Sequence, residues 1–327
     1  MKFLKKIAKK FLRILPVPPL DWTLRKLLRF YEIVQYEKEG DMANRKQVSL
    51  NFSHYLQNTE GRIERLRRII NKRPVAILLR GPSIAELEER ITELADCDIC
   101  YFTSNVFGVQ ERNILKQINQ KLSLIICAAA PGAQFDDIIA YLERPEDNVL
   151  LSEKDSFHRL GMPPEFDYNK FIGKYNEKLL FFKSQISTIA ANVGVFLEVP
   201  NREYPLHFPL QNSFAALLSL AIIGEAPLVA VFGGDGGRIN TVDLHYRETD
   251  PEYLKFKPVK EVVEHSIVDD TKVFNLTMPS LLTRLYEVYN LRPVDIINCS
   301  ERSHYTPLRK LSYAETFEIL KSFKVKE

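Results

Sequence analysis

The sequence predicts an α/β fold, a doubly wound and mostly parallel Rossmann-like sheet preceded by a helical N-terminal segment. Two observations predict it. From residue 74 onward, short and continuously apolar runs alternate with amphipathic runs, which is typical of parallel strands covered by helices on both faces. Glycine and polar residues gather just after the apolar runs, at the carboxyl edge where such sheets bind their ligands.

Six strands and five helices are predicted in order along this part of the chain. The strands are the apolar runs, at residues 75–80, 98–104, 122–129, 178–184, 228–234 and 293–300. The helices repeat apolar residues every three or four positions, at residues 84–95, 109–119, 135–142, 213–223 and 278–289. The segment 151–176 contains prolines, aromatics and charges without a period. We interpret it as an insertion or lid within an α/β domain of residues 74–327.

Residues 1–19 predict a basic amphipathic helix that ends in a proline spacer. Apolar residues recur at helical spacing from Leu4 to Leu15, and six basic residues with no acid among them fall within the first thirteen positions. Such a helix suits an anionic membrane surface, where each basic residue contributes on the order of 1 kcal/mol. We therefore expect a cytoplasmic protein, bound peripherally to the inner face of the membrane through residues 1–15. The alternative is a helix that packs on its own domain or on a partner.

Residues 20–73 predict a charged helical lead-in to the α/β domain. No apolar run in the chain approaches the roughly 20 residues that a spanning helix needs. The net charge is only +3, and the basic N-terminus accounts for all of the excess, which argues against nucleic acid as a partner. Cys97 and Cys100 form a C-x-x-C without the second pair of a zinc ribbon. We interpret them as buried thiols.

Two glycine-containing turns follow predicted strands. Gly81-Pro82-Ser83 precedes a helix, so Ser83 is expected to cap that helix while neighbouring backbone N–H groups hold a phosphate. The second turn, Gly233 to Gly237, surrounds Asp235 with four glycines, and glycine allows a ligand to approach the backbone closely. Asp235 is expected to accept hydrogen bonds from ribose or sugar hydroxyls or to bind Mg²⁺. A plain turn is the alternative for each.

The remaining candidates are polar residues near the same edge. Asn212 and Ser213 open an almost wholly apolar helix and either cap it or contact a ligand. His265 and His304 are candidates for acid–base chemistry, because imidazole exchanges protons near neutral pH. The histidines form no metal set. The adjacent Asp269 and Asp270 are expected to be solvated loop acids, with a metal site as the alternative.

In their order, these motifs resemble a known group of proteins. "LLRGPSI", "CDICYFTSN", "QNSFAALLSLAIIG", "PLVAVFGGDGG" and "DIINCSERSHYTPLRKLSY" are similar to the MptE-like proteins, a bacterial group named for an archaeal hydroxymethylpterin diphosphokinase and associated with surface-polysaccharide genes. The layout is also similar to the bacterial CMP-sialic acid sialyltransferases. The resemblance covers roughly residues 74–313.

The resemblance implies a nucleotide site. Its nucleotide- and donor-binding residues would be Arg80, Gly81, Pro82, Ser83, Asn105, Asn212, Ser213, Gly234, Gly236, Asn298, Ser300 and Ser303. Its catalytic residues would be Asp235 and His265, with His265 in the place of the sialyltransferase base. Arg80 departs from the sialyltransferase pattern, which has asparagine there.

Three functions are compatible with these motifs. The first is a glycosyltransferase that moves a sugar from a nucleotide-sugar donor to a cell-envelope glycan or lipid-linked acceptor. The second is a pyrophosphokinase-type transferase of the hydroxymethylpterin diphosphokinase kind, which would require ATP and Mg²⁺. The third is a non-catalytic nucleotide-binding protein of envelope assembly. We expect the first, and the only cofactor that the motifs suggest is the Mg²⁺ of the second.

Overall fold

The computed structural model describes a parallel sheet with helices on both faces. The described residues are 59–79, 81–104, 114, 122–127, 135–144, 149–153, 168–184, 200, 202, 206–208, 213–236 and 260–323. The predicted N-terminal amphipathic helix, most of the helical lead-in and most of the helix at residues 109–119 lie outside these ranges. Among the described helices, none has the length and apolar character needed to cross a bilayer.

The described residues form one nine-stranded sheet. In chain order the strands are β1 Val75–Leu78, β2 Cys100–Ser104, β3 Leu122–Cys127, β4 Val149–Glu153, β5 Leu179–Ser184, β6 His207–Phe208, β7 Leu228–Phe232, β8 Asp295–Asn298 and β9 Arg309–Lys310. Their spatial order is β6-β5-β4-β3-β2-β1-β7-β8-β9, and all of the described pairings are parallel. The predicted doubly wound α/β fold is thereby confirmed, as are the six predicted strands.

Seven α-helices are described. They are α1 Thr59–Ile70, α2 Ile84–Arg90, α3 Phe135–Leu142, α4 Tyr168–Tyr175, α5 Ser213–Ile223, α6 Lys260–Tyr289 and α7 Tyr313–Lys321. A 3₁₀ turn, Ile91–Leu94, extends α2, and another, Asn176–Lys178, extends α4. The predicted helix at residues 278–289 is the last part of the much longer α6.

Two hydrophobic cores lie on opposite faces of the sheet, because side chains alternate along each strand. Helices α1, α5 and α6 cover one face, where they pack on Val75 and Ile77. Helices α2, α3, α4 and α7 cover the other face, which contains Ala76 and Leu78. Since both faces are covered, the central strands read as unbroken apolar runs, which explains why they could be recognised in the sequence.

Helix α5 is buried on all sides. Every residue from Phe214 to Ile223 is buried, as an almost wholly apolar helix predicts, and the one polar side chain, Ser219, donates to Ala215 O within the helix. The short loop to β7 contains Gly224, whose added Cβ would lie 3.3 Å from Leu66 Cγ of α1. This close approach packs the end of α5 against α1.

Two domain predictions need correction. Helix α1 was assigned to a lead-in that ends at residue 73, yet Ile63 and Leu66 are part of the core beneath the sheet, so α1 belongs to the α/β domain. The segment 151–176 was interpreted as an insertion or lid. Its ends are instead β4, which pairs with β3 and β5, and α4, which buries Phe171 in the second core. Residues 154–167 lie outside the described ranges.

The two cysteines of the C-x-x-C are buried thiols, as predicted. Cys100 belongs to the core on one face of the sheet and Cys97 to the core on the other. The two sulfur atoms therefore do not share a site.

Candidate functional site

The order of the strands reverses at β1. Strand β2, the next in sequence, lies on one side of β1, and β7 lies on the other, with Leu78 opposite Phe232. In a doubly wound sheet, the carboxyl ends of two such strands border the crevice in which ligands bind. Here the turns that follow the two strands are joined directly, because Gly81 N–H donates to Gly233 O at 2.9 Å.

Asp235 connects the ends of three strands. Its Oδ2 accepts the backbone N–H of Ser83 after β1 at 2.9 Å, and its Oδ1 accepts the hydroxyl of Ser300 after β8. Its carbonyl oxygen accepts the N–H of His304 at 2.6 Å. A carboxylate offers about four lone-pair positions, so this one retains acceptor capacity toward a ligand.

The expected phosphate cradle at Gly81-Pro82-Ser83 is wrong in its detail. Ser83 has helical dihedrals, with φ −63° and ψ −14°, and its side chain makes no cap hydrogen bond, because a capping residue needs an extended backbone. The N–H groups of Ile84, Ala85 and Glu86 donate to carbonyl oxygens of the turn at 3.0, 3.2 and 3.1 Å. With Ser83 N–H bound to Asp235, the amides at the start of α2 are all occupied.

An open cleft of about 790 Å³ lies at this edge, within the roughly 300–1,000 Å³ of typical small-molecule sites. It is lined by Pro82, Ser83, Glu86, Asp235, Gly236, Cys299, Ser300, Glu301, Arg302, His304, Ser312 and Tyr313. Predicted site residues from three separate segments are thus brought together. Ser83 Oγ is enclosed and has no hydrogen-bond partner within the described part of the chain.

Burial keeps two titratable groups of the cleft neutral. Burial raises the pKa of the Tyr313 hydroxyl far above its usual value, and this hydroxyl donates to Ser83 O at 2.7 Å. Burial also raises the pKa of the Cys299 thiol to about 12. Because the thiolate is the nucleophilic form of cysteine, this upward shift of the pKa disfavours Cys299 as a nucleophile. His304, Glu301 and Arg302 are exposed at the rim.

Asn298 and Ser303 were predicted to bind the donor, and the structure corrects this. Asn298 is fully buried. Its Nδ2 donates to Gly234 O at 2.8 Å and to Ser303 Oγ at 2.9 Å, while its Oδ1 accepts Ser300 N–H at 3.1 Å. Ser303 Oγ donates to Gly234 O at 2.6 Å and accepts Tyr305 N–H at 3.0 Å. Both residues therefore hold the two site loops together from within.

Neighbouring atoms pack closely around two of the predicted site residues, Gly234 and Gly236. A Cβ on Gly234 would lie 2.8 Å from Val231 Cγ1 and 3.0 Å from Asn298 Nδ2. Gly236 lines the cleft and has φ +63°, a conformation that favours glycine. Glycine at these two positions lets the loop turn sharply from β7 into the cleft.

Several predicted residues are placed elsewhere or not described. Arg80, Asn105, Asn212 and the side chain of His265 lie outside the described part of the chain. Ser213 begins α5 and is not among the residues that line the cleft. Asp269 and Asp270 lie in α6 rather than in a loop. Within the described residues, no three acids, histidines or cysteines are grouped so as to hold a metal ion.

No family model, curated protein or solved structure matches this chain. An assignment of function therefore has to be argued from the sequence motifs and from the geometry of the cleft.

Sequence reasoning missed part of the cleft. Ser312 and Tyr313 come from the start of α7, and Glu86 comes from the first turn of α2. One signal was present: Ser312 and Glu315 match the S-x-x-E pattern of a capping box. The box is formed, with Ser312 Oγ accepting Glu315 N–H at 3.3 Å and Glu315 Oε2 accepting Ser312 N–H at 2.9 Å. This sequence pattern predicts that a helix begins at residue 313, where the chain borders the cleft.

Proposed function

We propose that this protein is a glycosyltransferase that binds a nucleotide-sugar donor in the switch-point cleft and transfers the sugar to a cell-envelope glycan. One observation supports this most directly. Asp235 hydrogen-bonds both Ser83 and Ser300, so three motifs of the resemblance, distant in sequence, border a single cleft. This convergence is what a donor site shared by the three motifs requires.

Each part of a donor has a suitable neighbour. The free acceptor positions of Asp235 suit ribose or sugar hydroxyls. Arg302 lies at the rim, and its guanidinium can pair with phosphate through two parallel hydrogen bonds. The start of α7 borders the same cleft, but its capping box occupies the N–H groups of Ser312 and Glu315. We therefore assign the leaving phosphate to Arg302, not to the occupied amides of α2.

His304 is the proposed general base. It is exposed and lines the cleft, and its backbone N–H is bound to Asp235 O. In the transfer, imidazole takes the proton of the acceptor hydroxyl, and the hydroxyl oxygen bonds to the anomeric carbon. The bond from that carbon to the phosphate oxygen breaks, and its electron pair leaves with the nucleotide. His265 remains the alternative base.

A second candidate is Mg²⁺-dependent diphosphate transfer from ATP. The observation in its favour is that Asp235, whose carboxylate retains acceptor positions beside Ser83 and Ser300, lines the cleft. Carboxylate and phosphate oxygens together are the usual environment of Mg²⁺.

A binding panel with CMP, UDP, GDP and ATP, each with and without Mg²⁺, separates these functions. A ligand at 100 times its dissociation constant adds about 2.7 kcal/mol of stability, which a thermal-shift assay detects. Metal-independent binding of CMP, UDP or GDP, followed by turnover of the matching nucleotide-sugar, is expected. Binding of ATP only with Mg²⁺ would favour diphosphate transfer, and binding without turnover would favour the non-catalytic alternative. No binding at all would overturn the proposal.

Comparison of His304→Ala with His265→Ala identifies the base. Loss of a general base costs roughly 10²–10⁴-fold in turnover and leaves donor binding intact. We expect this pattern for His304→Ala and near-normal turnover for His265→Ala. The opposite result would return the role to His265.

We also propose that residues 1–15 hold the protein at an anionic membrane, where a lipid-linked acceptor would lie. Replacing Lys5, Lys6, Lys9 and Lys10 with glutamate should release the protein from anionic liposomes in a sedimentation assay. Unchanged sedimentation would contradict the anchor.

A further inference from the structure

The side chain of Asn275 on helix α6 forms two hydrogen bonds with the backbone of the loop that contains His304. Its Nδ2 donates to the backbone oxygen of His304 at 2.7 Å, and its Oδ1 accepts the N–H of Thr306 at 3.0 Å. A carboxamide that bonds a carbonyl and an N–H two residues apart fixes the backbone much as a neighbouring strand does. The peptide groups on both sides of Tyr305 are thereby held by one side chain.

Aromatic contacts of Tyr305, which lies between His304 and Thr306, also hold this loop against α6. The ring of Tyr305 packs at 4.6 Å, edge to face, on Phe274, and at 5.1 Å on Phe214. One helical turn earlier, Thr271 lies against the backbone of Gly236, since an added Cβ there would be 3.1 Å from its Oγ1. Helix α6 therefore supports both loops of the cleft, the Gly236 loop through Thr271 and the His304 loop through Phe274 and Asn275.

The helix is interrupted where Asn275 lies. Pro279 is inside α6, and proline has no N–H to donate to the carbonyl four residues earlier, which is that of Asn275. An interruption of this kind bends a helix locally. Asn275 thus sits at a break in the regular hydrogen bonding of α6 while its side chain bonds the loop.

We propose that Asn275 is a positioning residue. By fixing the backbone at His304, it keeps the imidazole of His304 within reach of the acceptor hydroxyl in the cleft. The kinetic consequence rests on the proposed function, whereas the effect on the loop rests on the contacts alone. Asn275 is outside the cleft lining, so its loss should leave donor binding intact.

Three variants test the proposal. Asn275→Ala removes both hydrogen bonds, and Asn275→Asp retains an acceptor for Thr306 N–H but no donor for the His304 carbonyl. Ser280→Ala, at an exposed position of the same helix, is the matched control. Amide hydrogen exchange of His304 and Thr306 is measured alongside turnover and donor dissociation constants.

In Asn275→Ala, we expect faster exchange at both amides, a dissociation constant within about twofold of the native value, and turnover reduced on the order of tenfold to a hundredfold, as small misplacements of catalytic groups produce. In Asn275→Asp, Thr306 should stay protected while turnover still falls. Ser280→Ala should match the native protein.

Unchanged exchange in Asn275→Ala would overturn the proposal, and so would normal turnover despite faster exchange. If the native protein turned over no donor, the proposed function would fail separately, and the exchange data would still decide whether Asn275 holds the loop. If Asn275→Ala failed to fold, the comparison of Asn275→Asp with Ser280→Ala would decide.

Discussion

Asp235 Oδ2 accepts the backbone N–H of Ser83 at 2.9 Å, across the crevice between β1 and β7. The same carboxylate accepts the hydroxyl of Ser300. The sequence predicts that Asp235 contacts a ligand. In the structure, its carboxylate also links the turns that follow β1, β7 and β8.

Replacement of Asp235 by alanine should destabilise the protein by about 1–3 kcal/mol, because the N–H of Ser83 loses a charged acceptor. Asparagine retains an oxygen for Ser83 N–H and presents an N–H to Ser300 Oγ, so Asp235→Asn should cost clearly less. Urea unfolding of both variants measures the difference. Equal stability of Asp235→Ala and the native protein would contradict a linking role.

Gly81→Ala should destabilise the protein by about 1–3 kcal/mol through overpacking and weaken ligand binding. An added Cβ would lie 2.8 Å from Asp235 Cγ and would overlap Gly233 O, so the turn must open. Gly173→Ala is the matched control, because no atom lies within 4 Å of its added Cβ. Because Gly173 lies within helix α4, this control should raise the free energy of unfolding by about 0.5–1 kcal/mol. Similar effects of the two variants in thermal unfolding would be inconsistent with the close approach.

Tyr313→Phe should cost about 0.5–1.5 kcal/mol, the usual net value of one hydrogen bond. The variant loses the bond from the hydroxyl to Ser83 O, and that oxygen still accepts Glu86 N–H. Ring contacts with Phe232 and Phe317 remain. Chemical denaturation gives the value, and Tyr313→Ala, which also empties a buried site, should cost several times more.

The stability of the protein should depend on Glu93 in mildly acidic solution. Hydrogen bonds from Arg90 and then Lys321 lower the pKa of Glu93 from 4.5 to about 2. Because the pKa is lower in the folded state, the stabilisation is present above about pH 5 and is lost as the pH falls toward 2. The difference in unfolding free energy between native protein and Glu93→Gln should therefore shrink over this range.

The control for this titration is Glu89→Gln, an equal change of charge at an exposed neighbour on α2. Its difference from the native protein should not follow the same pH course. A pH-independent difference for Glu93→Gln would show that the ion pairs with Arg90 and Lys321 contribute nothing measurable.

The fold was largely predictable because the central strands are buried on both faces. Strands such as β1 and β7 are continuous apolar runs for that reason. Strands β6 and β9 are two residues long, too short for any periodicity, and β4 ends in the polar Ser152 and Glu153. These three strands were missed because their place is determined by pairing with a neighbour, which a local pattern does not record.

The site was predictable in location but less so in its roles. Ser83, Asp235 and Ser300 were found because each follows a strand. Asn298 is the last residue of strand β8, but its side chain is buried and bonds Gly234 and Ser303. A polar residue at the end of a strand reads the same whether it faces a ligand or an adjoining loop. Only the three-dimensional contacts distinguish the two.

The hydrogen bond from Tyr313 to Ser83 spans 230 residues, and this separation matters during synthesis. At about 5–20 residues per second, the turn after β1 leaves the ribosome roughly 10–50 s before α7. Phe232, which packs on Tyr313 and Phe317, is translated before both of them and lacks this cover for roughly 4–16 s at the same rate. A nascent chain thus lacks one wall of the cleft until α7, which contributes Tyr313, has been translated.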